Sequence, residues 1–445
     1  MAIWKRLASQ SAMLFASRLF GAALTFVAQA AIARVYSSAV LGEYLLIMAT
    51  TNLIAVVMPL GFETVGTYFT AEYRARGEGR QLWAFLRRSY GHIVIVGLLL
   101  LVFGAPVASM FGEPGKVFAS HWAPACLLAF STATIFVTGA VLIGLKRPLA
   151  GFFPDAIFRP VAVFAGFLLG LAATTRAASL DYLIWGVGLG VATVAALQFV
   201  YLISALRSVP TDVPARHGEA RRWWRFAAPW VIITLATDFF FDLDLLVLSN
   251  LLNRDELAIF GVCTRFFALV SFGVGVVYSL TLPDMFESEV MADRVGFHRK
   301  VGDANLVASG LSVLLFLVVA VGSPVALLLF GPAFLAGAAP LAVLCLALVV
   351  RSVFGPASLV LSVHDKPYAT LPSVALGVVA LIAGNLLLVP HFGLMGAAIA
   401  ALVSITLWSA AQWLTVMRIA GVDVSIRARL IRLRGAAVAP APAAE

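Results

Sequence analysis

The sequence predicts an all-α, polytopic membrane protein, and three observations lead to this prediction: the composition, the long apolar runs and the placement of the charges. Of the 445 residues, 62% are hydrophobic and 12% are charged. Soluble domains, by contrast, are about 45–50% apolar and about 25% charged. The mean hydropathy is correspondingly high, at +0.99. Because no polar block is long enough to fold as a separate domain in water, we expect lipid to surround most of the chain.

Twelve apolar runs carry the prediction of about 12 transmembrane helices. Each run is long enough to cross the hydrocarbon layer, which takes about 20 apolar residues in a helix. In chain order the runs are 11–35, 41–62, 90–111, 121–144, 154–174, 181–206, 227–250, 257–282, 304–330, 334–362, 371–389 and 394–419.

The basic residues predict how the chain is oriented. The net charge is +9, from 31 lysines and arginines against 22 aspartates and glutamates. Basic residues concentrate in every second connection, as in 207–225 after the sixth run, and again in the tail at 425–434. Cytoplasmic connections of membrane proteins carry such an excess of positive charge, so both termini are predicted to be cytoplasmic. The charge therefore indicates topology and contact with anionic membrane lipids, and it predicts no nucleic-acid partner.

Matching segments predict that the chain contains an internal repeat. The segment "PVASMFG", which starts at Pro106, resembles "PVALLLFG", which starts at Pro324. The same separation of 218 positions recurs between the prolines that end "KRPLAGFFP" and "DKPYATLP". With an even number of helices in each half, both halves enter the membrane from the same side. We therefore predict two pseudo-symmetric six-helix lobes around a central cavity, related by an axis along the membrane normal.

The repeat divides the chain into four predicted parts. An N-terminal six-helix lobe occupies 1–206, and a cytoplasmic basic linker follows at 207–225. A C-terminal six-helix lobe occupies 226–420. The last part is a cytoplasmic tail at 421–445, first basic and then rich in alanine and proline.

Arg18 interrupts the first apolar run. An arginine at the centre of a membrane helix costs roughly 2.5–3.5 kcal/mol on insertion scales, so it is usually functional. Thr25 and Gln29 fall within about 20° of Arg18 around a helix, which advances 100° per residue. We predict a polar stripe that faces a water-filled cavity, with an interhelical hydrogen-bond seam as the alternative.

Two further arginines lie well inside apolar runs of the second half, at Arg265 and Arg351. Arg159 also interrupts a run, but it lies close enough to the predicted cytoplasmic end for its side chain to reach the lipid surface. A guanidinium group stays protonated, and its planar fork matches two phosphate oxygens. The predicted binding residues for a pyrophosphate and sugar head group are Arg18, Arg265, Arg351, Thr25 and Gln29.

Acidic residues in the seventh run oppose these charges. Asp238 and Asp242 are four residues apart, so they share a face of a continuous helix, whereas Asp244 points nearly opposite. Two interpretations remain open. Asp238 and Asp242 form ion pairs with a cavity arginine, or they bind a coupling cation, H⁺ or Na⁺, to which Asn385 adds an amide oxygen.

No feature of the sequence indicates an enzyme, a metal site or a cofactor. The three cysteines lie within apolar runs, and the histidines are scattered near run ends or in connections. A phosphate-binding glycine loop after a strand and a hydrolase nucleophile elbow are both lacking. We predict that the chain is not an enzyme and that any energy comes from the membrane potential, H⁺ or Na⁺.

Two segments resemble a known family of membrane proteins. They are "SRLFGAALTFVAQAAIARVYSSAVLGEYLLI" near the start and "GNLLLVPHFGLMGAAIAALVS" near the end. Both are similar to the polysaccharide-biosynthesis flippases of O-antigen type, in the multidrug/oligosaccharidyl-lipid/polysaccharide exporter superfamily. The resemblance implies a bacterial inner-membrane flippase that moves a polyprenyl-pyrophosphate-linked oligosaccharide by alternating access. Its implied role is in the synthesis of surface polysaccharide: the O-antigen of lipopolysaccharide, capsule or exopolysaccharide. The implied partners are the lipid-linked glycan, membrane lipids, and a polysaccharide polymerase or glycosyltransferases.

Two alternative functions are kept. One is a cation-coupled multidrug or toxic-compound antiporter of the same superfamily. Such antiporters resemble one another in carrying an acidic residue in the first span, where this chain has Arg18 and no carboxylate. The other is a membrane scaffold of polysaccharide synthesis without transport, which would not need buried arginines in both halves. Lipid II flippases typically add two further C-terminal helices, which the twelve predicted runs do not include.

Overall fold

The computed structural model describes residues 2–172, 176–211, 213–214, 218–291, 293–364 and 366–430. The part of the predicted tail beyond Leu430 lies outside the described residues. The described segments are helical and contain no strand, so the predicted all-α fold is confirmed. The helices fall into two compact units, Met1–Ala258 and Ile259–Glu445, which are described separately below.

The first unit holds eleven α-helices and one short π-helix in its described residues. The α-helices are α1 (Ala2–Val35), α2 (Ser38–Val57), α3 (Phe62–Arg76), α4 (Gly79–Ala108), α5 (Gly112–Ser120), α6 (Trp122–Gly144), α7 (Pro148–Phe153), α8 (Arg159–Gly170), α9 (Arg176–Leu206), α10 (Glu219–Thr237) and α11 (Phe240–Leu248). The π-helix, Pro154–Phe158, joins α7 to α8.

The second unit begins within α12, a long helix that the first unit enters only at its N-terminal turn. The described helices are α12 (Arg254–Val290), α13 (Arg294–Leu328), α14 (Ala338–Phe354), α15 (Ala357–Val363) and α16 (Leu371–Ile419). Two short 3₁₀-helices, Pro332–Gly337 and Pro367–Thr370, precede α14 and α16.

Ten helical segments of the described residues are long and apolar enough to cross a membrane. The sequence predicts about twelve spans, and the number in the structure is lower for two physical reasons. The seventh run, 227–250, is broken between α10 and α11, and α11 has only nine residues. The last two runs form one segment, Pro367–Ile419, which bends at Gly393. Gly393 has φ 52° and ψ −131°, a conformation in which a side chain is strongly disfavoured.

The two helices of the seventh run pack within the first unit. α10 contacts α2 and α3, and α11 contacts α2. The boundary between the compact units therefore falls in the sequence between Ala258 and Ile259, after the linker that follows the sixth predicted span. The predicted lobes 1–206 and 226–420 describe the sequence repeat, and that division stays a prediction.

An aromatic core holds α3, α4 and α10 together in the first unit. Phe62 stacks on Phe85 with ring centroids 5.4 Å apart, and the edge of Trp223 packs against Phe85 at 5.5 Å. The chain enters α3 through Gly61, which has φ 83°. A Cβ atom at Gly61 would lie 2.2 Å from the carbonyl oxygen of Ala227, so the close contact between α3 and α10 requires glycine.

Candidate functional site

Arg18 projects from α1 toward the segment that joins α7 to α8. Its guanidinium carbon lies over the ring of Phe152, 4.5 Å from the centroid. Asp155 in the π-helix and Asp238 at the end of α10 attract the guanidinium electrostatically. Two carboxylates therefore stabilise the charge of Arg18: Asp155 in the π-helix and Asp238 after α10.

Close packing at Gly21 fixes this arrangement. A Cβ atom at Gly21 would lie only 1.8 Å from the carbonyl oxygen of Ala156, so α1 touches the backbone of the π-helix. Gly21 is three residues from Arg18 and therefore shares its face of α1, while Ala156 directly follows Asp155. π-helical turns are rare and often occur at functional sites, and here the turn presents Asp155 to Arg18.

A chain of polar contacts continues from Asp155 into the interior of the first unit. Arg159 donates from Nη1 to Oδ1 of Asp155 at 3.3 Å and from Nη2 to Oδ1 of Asn52. Asn52 donates in turn to Oδ2 of Asp242 at 3.5 Å. The side chain of Arg159 is only 14% exposed, so its guanidinium points inward to Asn52 instead of reaching the lipid surface.

The carboxylates of the seventh run are arranged differently from the predicted pattern. Asp238 directly follows the last residue of α10, whereas Asp242 lies in the first turn of α11, because the helix is broken between them. Asp242 and Asp244 are both buried. The contacts link α1, α2, α8 and α11 through arginines, carboxylates and the neutral amide of Asn52, and pairing lowers the cost of placing each charge in a membrane.

The other predicted residues of α1 differ in their availability. The Thr25 hydroxyl donates to the carbonyl oxygen of Gly21 at 2.8 Å, so this hydrogen is committed within α1. Gln29 is buried, and its Oε1 has no hydrogen-bond partner among the described residues. A buried acceptor without a partner is uncommon, because leaving it unpaired costs free energy.

The second unit contains a pocket of about 220 Å³ next to Arg351, with a lining that is partly polar and partly apolar. α14 ends three residues after Arg351 because Gly355 has φ 85° and Pro356 follows it, and this break opens the space before α15. The Arg351 guanidinium lies over the ring of Trp408 at 5.4 Å. Hydroxyl, amide and guanidinium groups line the pocket together, from Ser271, Tyr278, Arg351, Ser358, Ser409 and Gln412.

The predicted residues are thus divided between the units. Arg18, Thr25 and Gln29 belong to the first unit, and Arg265 and Arg351 belong to the second. Arg265 is partly buried on α12, six residues before Ser271, and it is not part of the pocket lining. Convergence of the three arginines on one cavity stays a prediction. The predicted cation site also stays a prediction, since Asn385 is fully buried in α16 and the aspartates lie in the first unit.

A buried carboxyl group that the sequence interpretation missed lies at Glu63. It stands in the first turn of α3, between the candidate spans Ser38–Val57 and Gly79–Ala108. Burial raises the pKa of Glu63 from 4.5 to about 7. One carboxylate oxygen accepts from the Thr64 hydroxyl at 3.3 Å, and the other has no hydrogen-bond partner among the described residues. The sequence signal was the acid directly after the "PLGF" break at the end of the second run.

Glu63 makes the stability of the protein depend on pH. A carboxyl whose pKa is raised on folding contributes full stability below about 4.5, and this contribution is lost as the pH rises through about 7. A rise of this size corresponds to about 3 kcal/mol. We expect the detergent-solubilised protein to unfold at a lower temperature at pH 8 than at pH 5, and Glu63→Gln to remove most of that difference. Glu113→Gln, at a partly exposed position, is the matched control. Equal pH profiles for wild type and Glu63→Gln would contradict the assignment.

Comparison with known proteins identifies the fold. No protein-family model and no curated protein matches the chain. Several solved structures are similar to it. One is an inward-facing multidrug-resistance MATE family transporter of the MOP superfamily, with a TM-score of 0.76 and 14% sequence identity. The match covers 90% of this chain and 95% of that chain. The lipid II flippase MurJ in an inward closed conformation has a TM-score of 0.72 and 13% identity, with 91% and 87% covered. The Vibrio cholerae MATE transporter VcmN has a TM-score of 0.60 and 15% identity, with 97% and 99% covered. The chain therefore has the polytopic helical fold that these transporters share.

Proposed function

We propose that this protein is a flippase that translocates a polyprenyl-pyrophosphate-linked oligosaccharide across the bacterial inner membrane by alternating access. Its product would supply the synthesis of O-antigen, capsule or exopolysaccharide. The observation that carries the proposal is the pocket of the second unit, where Arg351 stands among hydroxyl and amide groups. The proposal agrees with a fold found both in a MATE transporter and in a lipid II flippase.

The chemistry of the pocket suits a glycosylated diphosphate. Arg351 would bind phosphate oxygens through its planar fork. Ser358, Ser409 and Gln412 can donate to and accept from sugar hydroxyls. With a volume of about 220 Å³ the pocket accommodates a diphosphate and the adjoining part of a sugar, and not a whole oligosaccharide. Arg18 and Arg265 would complete the head-group site together with Thr25 and Gln29, while the polyprenyl tail stays in the hydrocarbon.

The proposal needs no cofactor. Moving a negative charge outward across a membrane with a negative interior gains about 2.3 kcal/mol per charge for each 100 mV. A diphosphate head group carries charge in this favourable direction. Asp238, Asp242 and Asn385 are the proposed groups for coupling to H⁺ or Na⁺ if the potential alone does not drive transport. Asp238 already interacts with Arg18, so binding of an anion there would release a carboxylate.

Location and partners follow from the same proposal. The chain would lie in the inner membrane with both termini in the cytoplasm, where the lipid-linked glycan is made. A polysaccharide polymerase on the outer side would consume the product, and glycosyltransferases on the inner side would supply the substrate. Membrane lipids would contact the basic connections, and nucleic acid would not be a partner.

A cation-coupled multidrug antiporter is the second candidate, and one observation favours it. The interior network of the first unit contains three carboxylates, Asp155, Asp238 and Asp242, against two arginines. A formal excess of negative charge suits a cationic guest better than an anionic one. The fold of the MATE transporters is compatible with either candidate.

Complementation of a strain that lacks the protein tests the proposal. We expect Arg351→Ala to reduce surface polysaccharide by roughly tenfold or more, since loss of a charge-assisted bond to phosphate costs about 1.5–3 kcal/mol. Arg351→Lys should retain part of the activity, because it keeps the charge and loses the fork. Lipid-linked oligosaccharide should accumulate in the cells. The exposed Arg299→Ala is the control; normal polysaccharide with Arg351→Ala at normal protein levels would count against the flippase, and drug resistance on overexpression would favour the antiporter.

A further inference from the structure

A groove of about 760 Å³ runs along the first unit between α4 and the C-terminal half of α9. None of its lining residues belongs to the network around Arg18 or lines the pocket of Arg351. One wall comes from the first half of α4 and the other from Phe199, Leu202, Ile203 and Leu206 of α9.

The wall on α4 changes in polarity along the helix. Arg80, Trp83, Arg87, Tyr90 and Val94 follow one another every three or four residues, so they share one face. This face begins with two cations that flank an indole, continues with a phenol ring, and ends in aliphatic side chains. The same order, from charge through amphipathic ring to hydrocarbon, is found across a membrane interface.

Among the residues that the structure describes, no carboxylate pairs with either arginine of the groove. Both arginines are exposed. They are two helical turns apart, a distance of about 10 Å that two flexible side chains can close around one phosphate. α4 starts after a basic connection that the charge pattern predicts to be cytoplasmic, next to the leaflet rich in anionic lipid.

The deeper half of the groove is an open apolar slot. A Cβ atom at Gly91 would meet no heavy atom within 4 Å, so the missing side chain leaves free space beside Val94 and Ile95. Val94 is 46% exposed and Ile95 is 58% exposed, which suits a surface that hydrocarbon covers. The one hydroxyl in this wall, on Tyr90, already hydrogen-bonds Thr138 at 2.7 Å.

We propose that this groove binds an anionic phospholipid of the cytoplasmic leaflet. Arg80 and Arg87 hold its phosphate, Trp83 lies at the level of its glycerol, and an acyl chain fills the slot beside Gly91. A lipid with a sugar head group is a poorer occupant, because the lining offers no free hydroxyl or amide to bind sugar. This inference does not depend on the proposed function.

Native mass spectrometry of the purified full chain tests the inference. The protein is titrated with phosphatidylglycerol and with phosphatidylcholine of the same acyl chains, and bound lipids are counted. We expect wild type to prefer phosphatidylglycerol, and the double variant Arg80→Gln, Arg87→Gln to bind it roughly tenfold more weakly, close to phosphatidylcholine. Gly91→Leu, which fills the slot without changing charge, should weaken both lipids severalfold.

Matched variants of the second unit control for charge and bulk. They are the double variant Arg294→Gln, Arg299→Gln and the single variant Gly310→Leu, whose site is open in the same way. Fluorescence quenching adds a check on protein in which both arginines are unchanged. Brominated phosphatidylglycerol should quench its tryptophan fluorescence more than brominated phosphatidylcholine does. Trp83→Phe should abolish this difference. Equal binding of the two lipids by wild type, or unchanged phosphatidylglycerol binding by the arginine variant, would overturn the inference. The inference would also be overturned if a polyprenyl phosphate bound to the groove and excess phosphatidylglycerol could not displace it.

Discussion

Replacing Gly21 by alanine will reduce transport by roughly tenfold or more, because displacements of about 1 Å at a site commonly have effects of that order. The new Cβ atom would lie 1.8 Å from the carbonyl oxygen of Ala156, and backbone on both sides leaves no flexible group that could yield. α1 must therefore move away from the π-helix, and Arg18 moves away from Asp155. Surface polysaccharide in a complemented strain, normalised to folded protein in the membrane, measures the effect.

Gly310→Ala is the matched control for this prediction. Gly310 also lies inside a long helix, α13, but a Cβ atom there meets no heavy atom within 4 Å. Alanine stabilises an exposed helix position by about 1 kcal/mol relative to glycine, so this variant should transport normally. Normal transport by Gly21→Ala would show that the distance between α1 and the π-helix does not matter to function.

Removal of the Arg159 guanidinium will destabilise the first unit by about 2–3 kcal/mol, the range expected for losing charge-assisted hydrogen bonds in a mostly buried site. Arg159→Ala leaves Asn52 without its donor and Asp155 without its ion pair. The value is set below that of a fully buried pair because the Asp155 side chain is 50% exposed. Thermal unfolding in detergent should show a transition lowered by several degrees.

The exposed Arg207→Ala, in the same unit, should leave the transition unchanged. A double-mutant cycle with Asp155→Asn separates the ion pair from the contact to Asn52. If the effects of the two substitutions on the free energy of unfolding are additive, the ion pair between Asp155 and Arg159 contributes nothing. The stabilisation by Arg159 then comes from its contact with Asn52 alone. An unfolding temperature of Arg159→Ala equal to that of Arg207→Ala would contradict the whole polar chain.

The helices were predictable because apolar runs about 20 residues long have one stable form in lipid. The helix breaks were harder to predict. "TDFFFDLDLLVL" is apolar enough to continue a helix, and its composition carries no signal for the break that separates Asp238 from Asp242. At Gly393 the two predicted spans join into one bent segment, which composition alone does not distinguish from two helices and a loop.

The polar site was predictable only in part. Periodicity placed Thr25 and Gln29 near Arg18, because that relation is local to one helix. Asp155 was not identified, since it comes from the fifth run and meets Arg18 only through the close contact at Gly21. The inward course of the Arg159 side chain likewise depends on Asn52, 107 positions away in the sequence. Such long-range pairs leave no trace in a single sequence.

Transport measured in proteoliposomes tests the central claim most directly. The purified chain is reconstituted with a polyprenyl-pyrophosphate-linked oligosaccharide in the inner leaflet, and a membrane-impermeant enzyme that cleaves the exposed glycan reports its arrival outside. We expect wild type to move the glycolipid, a negative interior potential to speed it, and Arg351→Ala to slow it by roughly tenfold or more. A rate equal to that of protein-free vesicles, together with cation-driven movement of a cationic drug by the same preparation, would contradict the flippase and establish the antiporter.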